Sequence, residues 1–149
     1  MIAVIQRVSN AKVKSLETDK ESKIGSGMCI LLGVAQDDQK EDLAKIVKKI
    51  TNIRIFKDKD NKMNLSPQEA KAEVLLISQF TLLANSKKGN RPSFIKAAKQ
   101  EKAESMYKEV IETLKENGLV VKTGFFGHYM EIDLKLDGPV TISLDSNKL

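Results

Sequence analysis

The chain has 149 residues, no tryptophan and an aromatic fraction of 5%, so aliphatic side chains must supply its core, and its length suits a single domain over residues 1–149. Lys and Arg number 25 against 20 Asp and Glu, and the resulting +5 is compatible with a polyanionic partner and equally with plain solubility. One histidine and one cysteine exclude an intrachain disulfide and the usual nitrogen and sulfur ligand set of zinc, and no metal or cofactor is expected. No apolar run approaches a membrane-spanning length and no secretory h-region opens the chain, which makes a reducing, cytoplasmic setting the expectation.

Residues 2–8 read as a strand with Ala3, Ile5 and Arg7 on one face. Arg7 is either a solvated edge arginine or a fixed guanidinium whose planar donors hold carbonyls in place. Ala11, Val13 and Ser15 alternate with Lys12 and Lys14, as in a half-exposed strand, and residues 16–23 read as a polar loop or hairpin tip. The apolar run 27–35 predicts a strand buried on both faces and contains Cys29, a small buried hydrophobe. Asp38 and Glu41 form a capping-box pattern ahead of a helix with Leu43, Ile46, Val47 and Ile50 on its inner face. Residues 56–64 are turn-like around Asp60-Asn61.

A second buried strand, 72–77, runs into Ser78-Gln79-Phe80-Thr81-Leu82, which sets hydroxyl and amide groups at the rim of a sheet. The loop that follows carries Lys87, Lys88 and Arg91, either an ordinary basic loop or a phosphate-contact surface. Residues 101–117 predict a helix whose stripe includes Met106, Tyr107, Val110, Ile111 and Leu114, all read as core, with Gly118 ending it. After a short strand at 119–122, Gly124-Phe125-Phe126-Gly127 forms either an aromatic ledge for a nucleobase or a plug for the core. Strands 128–136 and 140–144 flank Asp137-Gly138-Pro139, which on local chemistry alone reads as a hairpin turn, since only about 5–6% of X-Pro bonds are cis. The tail from Ser146 is expected to fray. The fold class is α+β: largely antiparallel sheets packed together, with two main helices outside.

The chain is poor in reactive side chains. His128 has no carboxylate near it in sequence, and Ser78 and Thr81 lack an evident activator. Positioned backbone amides near the end of the SQFTL strand, acting with a group on the substrate, are the economical alternative.

SQFTL, KKGNRPSF, TGFFG and DGPVT, in this order, resemble the D-aminoacyl-tRNA deacylase family along essentially the whole chain. The resemblance implies a deacylase-type fold and a cytoplasmic homodimer that hydrolyses the ester between a D-amino acid and the 3′ adenosine of tRNA, and removes glycine mischarged on the alanine tRNA. It further implies an active site at the dimer interface, where Ser78, Gln79, Phe80 and Thr81 of one subunit face a cis Gly138-Pro139 element of the other. Arg7 would brace that element, Phe126 and Met130 would bind substrate, and Lys87, Lys88 and Arg91 would bind tRNA. Exclusion of L side chains by main-chain carbonyls would give the chiral preference, and the substrate 2′-hydroxyl would assist cleavage, with Thr81 the competing nucleophile. The alternative is a non-catalytic RNA-end-binding dimer of the same fold. Two departures from the family pattern stand out. Leu136 replaces an asparagine that would buttress the Gly-Pro element, and His128-Tyr129 replaces a small residue near the adenosine pocket.

Overall fold

The longest strand, β1 (Ile2–Ser15), is the axis of the fold. On one edge it runs antiparallel beside β8 (Met130–Asp145) for its whole length. Its other edge is shared, by β3 (Gly27–Gly33) along the first half and by β2 (Glu21–Ile24) along the second. β6 (Glu73–Ser78) joins β3 in parallel, and β7 (Val120–Thr123) joins β6 in parallel, completing a six-stranded mixed sheet. A separate hairpin pairs β4 (Phe56–Lys57) with β5 (Met63–Leu65) around the turn expected there. This computed structural model describes residues 1–87 and 89–149.

Two helices, α1 (Lys40–Asn52) and α2 (Gln100–Glu116), cover one face of the sheet through the stripes read from the sequence. Ile46, Ile50, Val110 and Leu114 are fully buried there against Met28, Ile30, Val74 and Leu76. A fully buried side chain of this kind stabilises the fold by about 1.5–3 kcal/mol. The opposite faces of β3 and β6 are also covered, because Cys29, Leu75 and Ile77 pack against Val8, Ala11, Val13 and Ile24. β1 therefore serves both faces. Ala3 and Ile5 belong to the helix-side core, and Val8 onward to the other; the change falls at register shifts between Gln6, Val8 and Asn10. A bulge bends its strand and increases local twist, which is how one strand wraps from one face to the next.

Several local expectations are corrected. Residues 2–8 and 11–15 form one strand, and the expected loop at 16–23 is shorter because β2 begins at Glu21. Asp137-Gly138-Pro139 is an interior part of β8, inside a bulge of that strand in which residues 137–140 face Arg7 of β1, so neither a turn nor a strand break occurs there. The cap of α1 is Gln39, whose N–H donates to Asp42 Oδ2 at 2.9 Å. Asp38 is buried instead, taking the N–H of Ala35 at 2.6 Å and the α-amino group of Met1. Ser146 is fully buried, its hydroxyl meets the same amino group at 2.7 Å, and Ser146–Lys148 is an ordered 3-10 turn; the chain does not fray there.

Candidate functional site

A cavity of about 570 Å³ opens where β6 ends. Ser78, at the end of β6, pairs with Leu32 of β3, and the N–H of Gln79 donates to the Leu32 carbonyl at 2.7 Å. Gln79 then caps a 3-10 helix, Phe80–Leu83, with its Oε1 accepting the Thr81 N–H at 3.4 Å and the Thr81 hydroxyl at 2.7 Å. That engagement turns the amide side chain inward onto the helix. The N–H of Phe80 has no acceptor among the described residues and is the main-chain donor left over at this rim. Gly33 permits the close approach, since a Cβ there would lie 2.5 Å from Leu83 Cδ2 and 3.0 Å from the Gln79 carbonyl oxygen. Ser78, Gln79 and Phe80 line the cavity, whereas Thr81 does not. Phe80 is 56% exposed and meets Phe94 edge-on at 5.1 Å.

The second wall is the aromatic loop. The Gly124 N–H donates to Leu76 O at 2.9 Å, and the loop carries Phe126 to Met130 along the cavity, so the two residues assigned here by resemblance, Phe126 and Met130, do meet the SQF wall. Phe126 is both ledge and plug: it lines the cavity while packing 5.7 Å from Tyr107 at the edge of the core. Tyr107, Gln100 and Ala103 bring α2 into the lining. Sequence reading placed Tyr107 in the core, correctly, but missed its second role because a helical stripe gives no sign of which member also borders a void. Its hydroxyl donates to Leu76 O at 2.7 Å, and burial raises its pKa above the ordinary tyrosine value.

His128 also lines the cavity, and the fold supplies the partners that sequence proximity did not reveal. Ser15 Oγ lies 2.9 Å from its Nδ1, and Glu17 Oε2 lies 3.9 Å from its Nε2. The resulting Ser-His-Glu set has the composition of a triad without its accessibility. Ser15 is fully buried, and its oxygen already accepts the N–H groups of Glu17 and Thr18 at 3.2 Å. With its lone pairs so engaged, the hydroxyl proton points to Nδ1, leaving the ring proton on Nε2 toward Glu17. The set therefore anchors the loop to the β1 end. Cys29 is equally unsuited to attack, being fully buried with its thiol pushed up to about 12 by burial.

Arg7 is the fixed guanidinium of the two alternatives, only 4% exposed. Its Nε donates to the Asp137 carbonyl at 3.2 Å and pairs with Asp137 Oδ2 at 3.0 Å, and its Nη1 donates to the Ile55 carbonyl. Asp137, next to Gly138, thereby supplies the buttress that Leu136 does not, since Leu136 is 44% exposed. The Gly138-Pro139 bond is cis, and Gly138 has φ 130°, with a Cβ there falling 2.9 Å from Val140 Cγ2. Within one chain this element stands apart from SQFTL. β8, β1, β3 and β6 lie in that order, and Gly138 sits near the level of Arg7 whereas Ser78 is at the level of Ala3. At about 3.3 Å per residue along and about 4.8 Å per strand across, the separation over the sheet is roughly 20 Å. Of the basic loop, Lys87 lines a second cavity, Arg91 is exposed and lines neither, and Lys88 lies outside the described residues.

A family profile described as D-Tyr-tRNA(Tyr) deacylase matches residues 4–145. The chain belongs to the D-aminoacyl-tRNA deacylase family. Curated deacylases from Thermosipho africanus and Sulfurihydrogenibium sp. are 47% and 48% identical over 149 residues, covering 100% of this chain and 99% and 100% of theirs. A solved structure titled c-Myc DNA Unwinding Element Binding Protein superposes with a TM-score of 0.89 at 40% identity, over 97% of this chain and 98% of that one. The structure of a probable eukaryotic D-amino acid tRNA deacylase superposes at 0.84 with 16% identity over 96% and 97%, a likeness of fold. The α+β sheet with two flanking helices is thus the deacylase fold, and this deacylase is a hydrolase acting on the ester bond of D-aminoacyl-tRNA.

Proposed function

We propose that this deacylase works as a cytoplasmic homodimer in which the Ser78–Thr81 rim of one subunit faces Gly138-Pro139 of the other. The terminal adenosine rests against Phe126 and Met130, and the ester carbonyl lies at the Phe80 N–H. Water attacks that carbonyl with the substrate 2′-hydroxyl positioning it and taking part in proton transfer. The Phe80 N–H donates to the developing oxyanion, and the 3′-hydroxyl leaves with a proton. A single donor of this kind contributes about 10²–10³ in rate. Main-chain carbonyls of Gly138-Pro139 accept hydrogen bonds from the α-ammonium and fill the space an L side chain requires. A D side chain points outward, and glycine has nothing to exclude, so glycine on the alanine tRNA is also cleaved. Lys87, Lys88 and Arg91 contact the tRNA backbone.

The observation that carries this reading is the cavity wall itself: an unengaged main-chain donor at Phe80, beside a Thr81 hydroxyl tied to Gln79 and a Tyr107 hydroxyl tied to Leu76. The roughly 20 Å between the two motifs in one chain supports a second subunit as the source of the filter. The deciding experiment charges tRNA with D-tyrosine or L-tyrosine and alanine tRNA with glycine, adds the protein, and follows ester loss. A parallel substrate ends in 2′-deoxyadenosine, and sedimentation gives the oligomeric state. Loss of the D and glycyl esters, sparing of the L ester, and a collapse of rate without the 2′-hydroxyl are expected. Binding of nucleic acid with no acceleration of any ester would instead favour a binding role, as the name of the 40% identical relative suggests.

A further inference from the structure

At the other end of the 3-10 helix from the first cavity lies a second, more open one of about 850 Å³. Phe80 lines the first, and Leu82 and Leu83 line the second. A 3-10 helix rises about 2 Å per residue, so Phe80 and Leu83 are separated along it by only about 6 Å. Around the second cavity stand Lys87, Lys96 and Lys148, against Asp37 and Asp145. Asp145 is already engaged, pairing with Lys148 at 3.9 Å and accepting the Asn147 N–H at 3.0 Å. Lys87 and Lys96 have no carboxylate within ion-pair distance among the described residues.

Both lysines are held on anchored backbone. The Lys96 carbonyl accepts the Gln36 N–H at 2.9 Å beside an Ala35–Ala97 bridge, and the Lys87 N–H donates to Asn85 Oδ1 at 3.0 Å beside an Asn85–Ser93 bridge. With three ammonium groups against two carboxylates the cavity is net positive, and a concave site concentrates that potential more than the same charges on a convex surface.

We propose that this second cavity receives the phosphodiester backbone of the nucleotides that precede the terminal adenosine, with Lys87 and Lys96 as its phosphate contacts. The inference rests on the reading that the first cavity holds the aminoacyl-adenosine end. The single strand leaves that cavity over the 3-10 helix and lays its next phosphates between the two lysines. Contacts of this type position the strand without reading its sequence.

The test measures binding of uncharged tRNA by fluorescence anisotropy across a potassium chloride series, and hydrolysis of both D-tyrosyl-tRNA and the D-tyrosyl ester of adenosine. Lys96→Gln and Lys87→Gln are each expected to weaken tRNA binding about three- to ten-fold at low salt and to reduce the log–log salt slope by about one. KM for D-tyrosyl-tRNA rises in parallel, while cleavage of D-tyrosyl-adenosine by Lys96→Gln matches the parent. Lys115→Gln, at the far end of α2, is the charge control and leaves the slope in place. Parental tRNA affinity and slope in Lys96→Gln and Lys87→Gln would overturn the proposal. So would an equal loss on D-tyrosyl-adenosine, which would assign the lysines to the ester cavity. Failure of the parent protein to cleave either ester would remove the catalytic reading, and the anisotropy series would still decide the second cavity.

Discussion

Replacing Arg7 by methionine removes a charge while keeping most of the stem that fills its place between β1 and β8. In the parent the 4% exposed guanidinium serves the Ile55 carbonyl, the Asp137 carbonyl at 3.2 Å and the Asp137 carboxylate at 3.0 Å. Two main-chain acceptors lose charged donors, each worth about 1.5–3 kcal/mol. Asp137 is 47% exposed, so its carboxylate returns to water and adds little. Relief from desolvating the guanidinium offsets part of the loss. The expected net cost is about 2–4 kcal/mol, a large share of the roughly 5–15 kcal/mol that stabilises a domain. Urea denaturation at neutral pH reads it as a lower midpoint with an unchanged m-value. Deacylation of D- and L-tyrosyl-tRNA, measured where the variant is still folded, is expected to slow and to lose discrimination. Arg7→Lys recovers only part of either, because one ammonium cannot serve three divergent acceptors. An Arg7→Met protein within about 0.5 kcal/mol of the parent, or a folded one with parental kinetics, would refute the bracing role.

Thr81→Ala removes a hydroxyl that donates to Gln79 Oε1 and lies outside the cavity, so kcat is expected to stay within about ten-fold of the parent, short of the 10²–10³ lost with an oxyanion donor; abolished turnover in a folded variant would make it the nucleophile. Tyr107→Phe costs about 0.5–1.5 kcal/mol in urea denaturation with little change in kcat, because Leu76 O still accepts the Gly124 N–H. The Asp42 carboxyl is held below the usual aspartate range chiefly by the Gln39 N–H, with the Ser146 hydroxyl second. Its contribution is therefore fully present above an ordinary aspartate pKa of about 3.9 and fades as pH falls through the lower folded value. Asp42→Ala should cost about 1 kcal/mol at neutral pH, and the difference from the parent should vanish in strong acid; a gap that persists there would assign the loss to packing.

Elements governed by local periodicity were legible: both helical stripes, the apolar runs of β3 and β6, and the SQFTL rim. What escaped was decided by distant partners. Gly138-Pro139 carries the marks of a turn, yet β8 continues through it as a bulge of its own opposite Arg7, whose donor set holds the neighbouring Asp137. Asp38 looks like a helix cap, but the Ala35 N–H and the amino group of Met1 claim it, and the cap passes to Gln39. The partner of His128 lies 113 residues upstream at Ser15, in a hairpin whose packing no single segment announces. The participation of α2 in the cavity was hidden for a related reason: Tyr107 satisfies a core stripe and borders a void at once.

A site made of main-chain groups shifts the burden of precision from the lining to the anchors beneath it. Phe80 presents its N–H because Gln79 is tied to Leu32 on one side and to Thr81 on the other, and the Gly138 region is held because Arg7 reaches Asp137 and Ile55. On the proposed mechanism none of these anchors is a reacting group. The filter, on the same mechanism, is made of carbonyls and cannot be retuned by changing its own side chains, so exposed lining residues such as Tyr129 should tolerate replacement, whereas buried Arg7 and the close-packed Gly33 should not. A displacement of about 1 Å at a reacting carbonyl is enough to cost two orders of magnitude in rate, which is larger than the effect of losing most single contacts to a ligand.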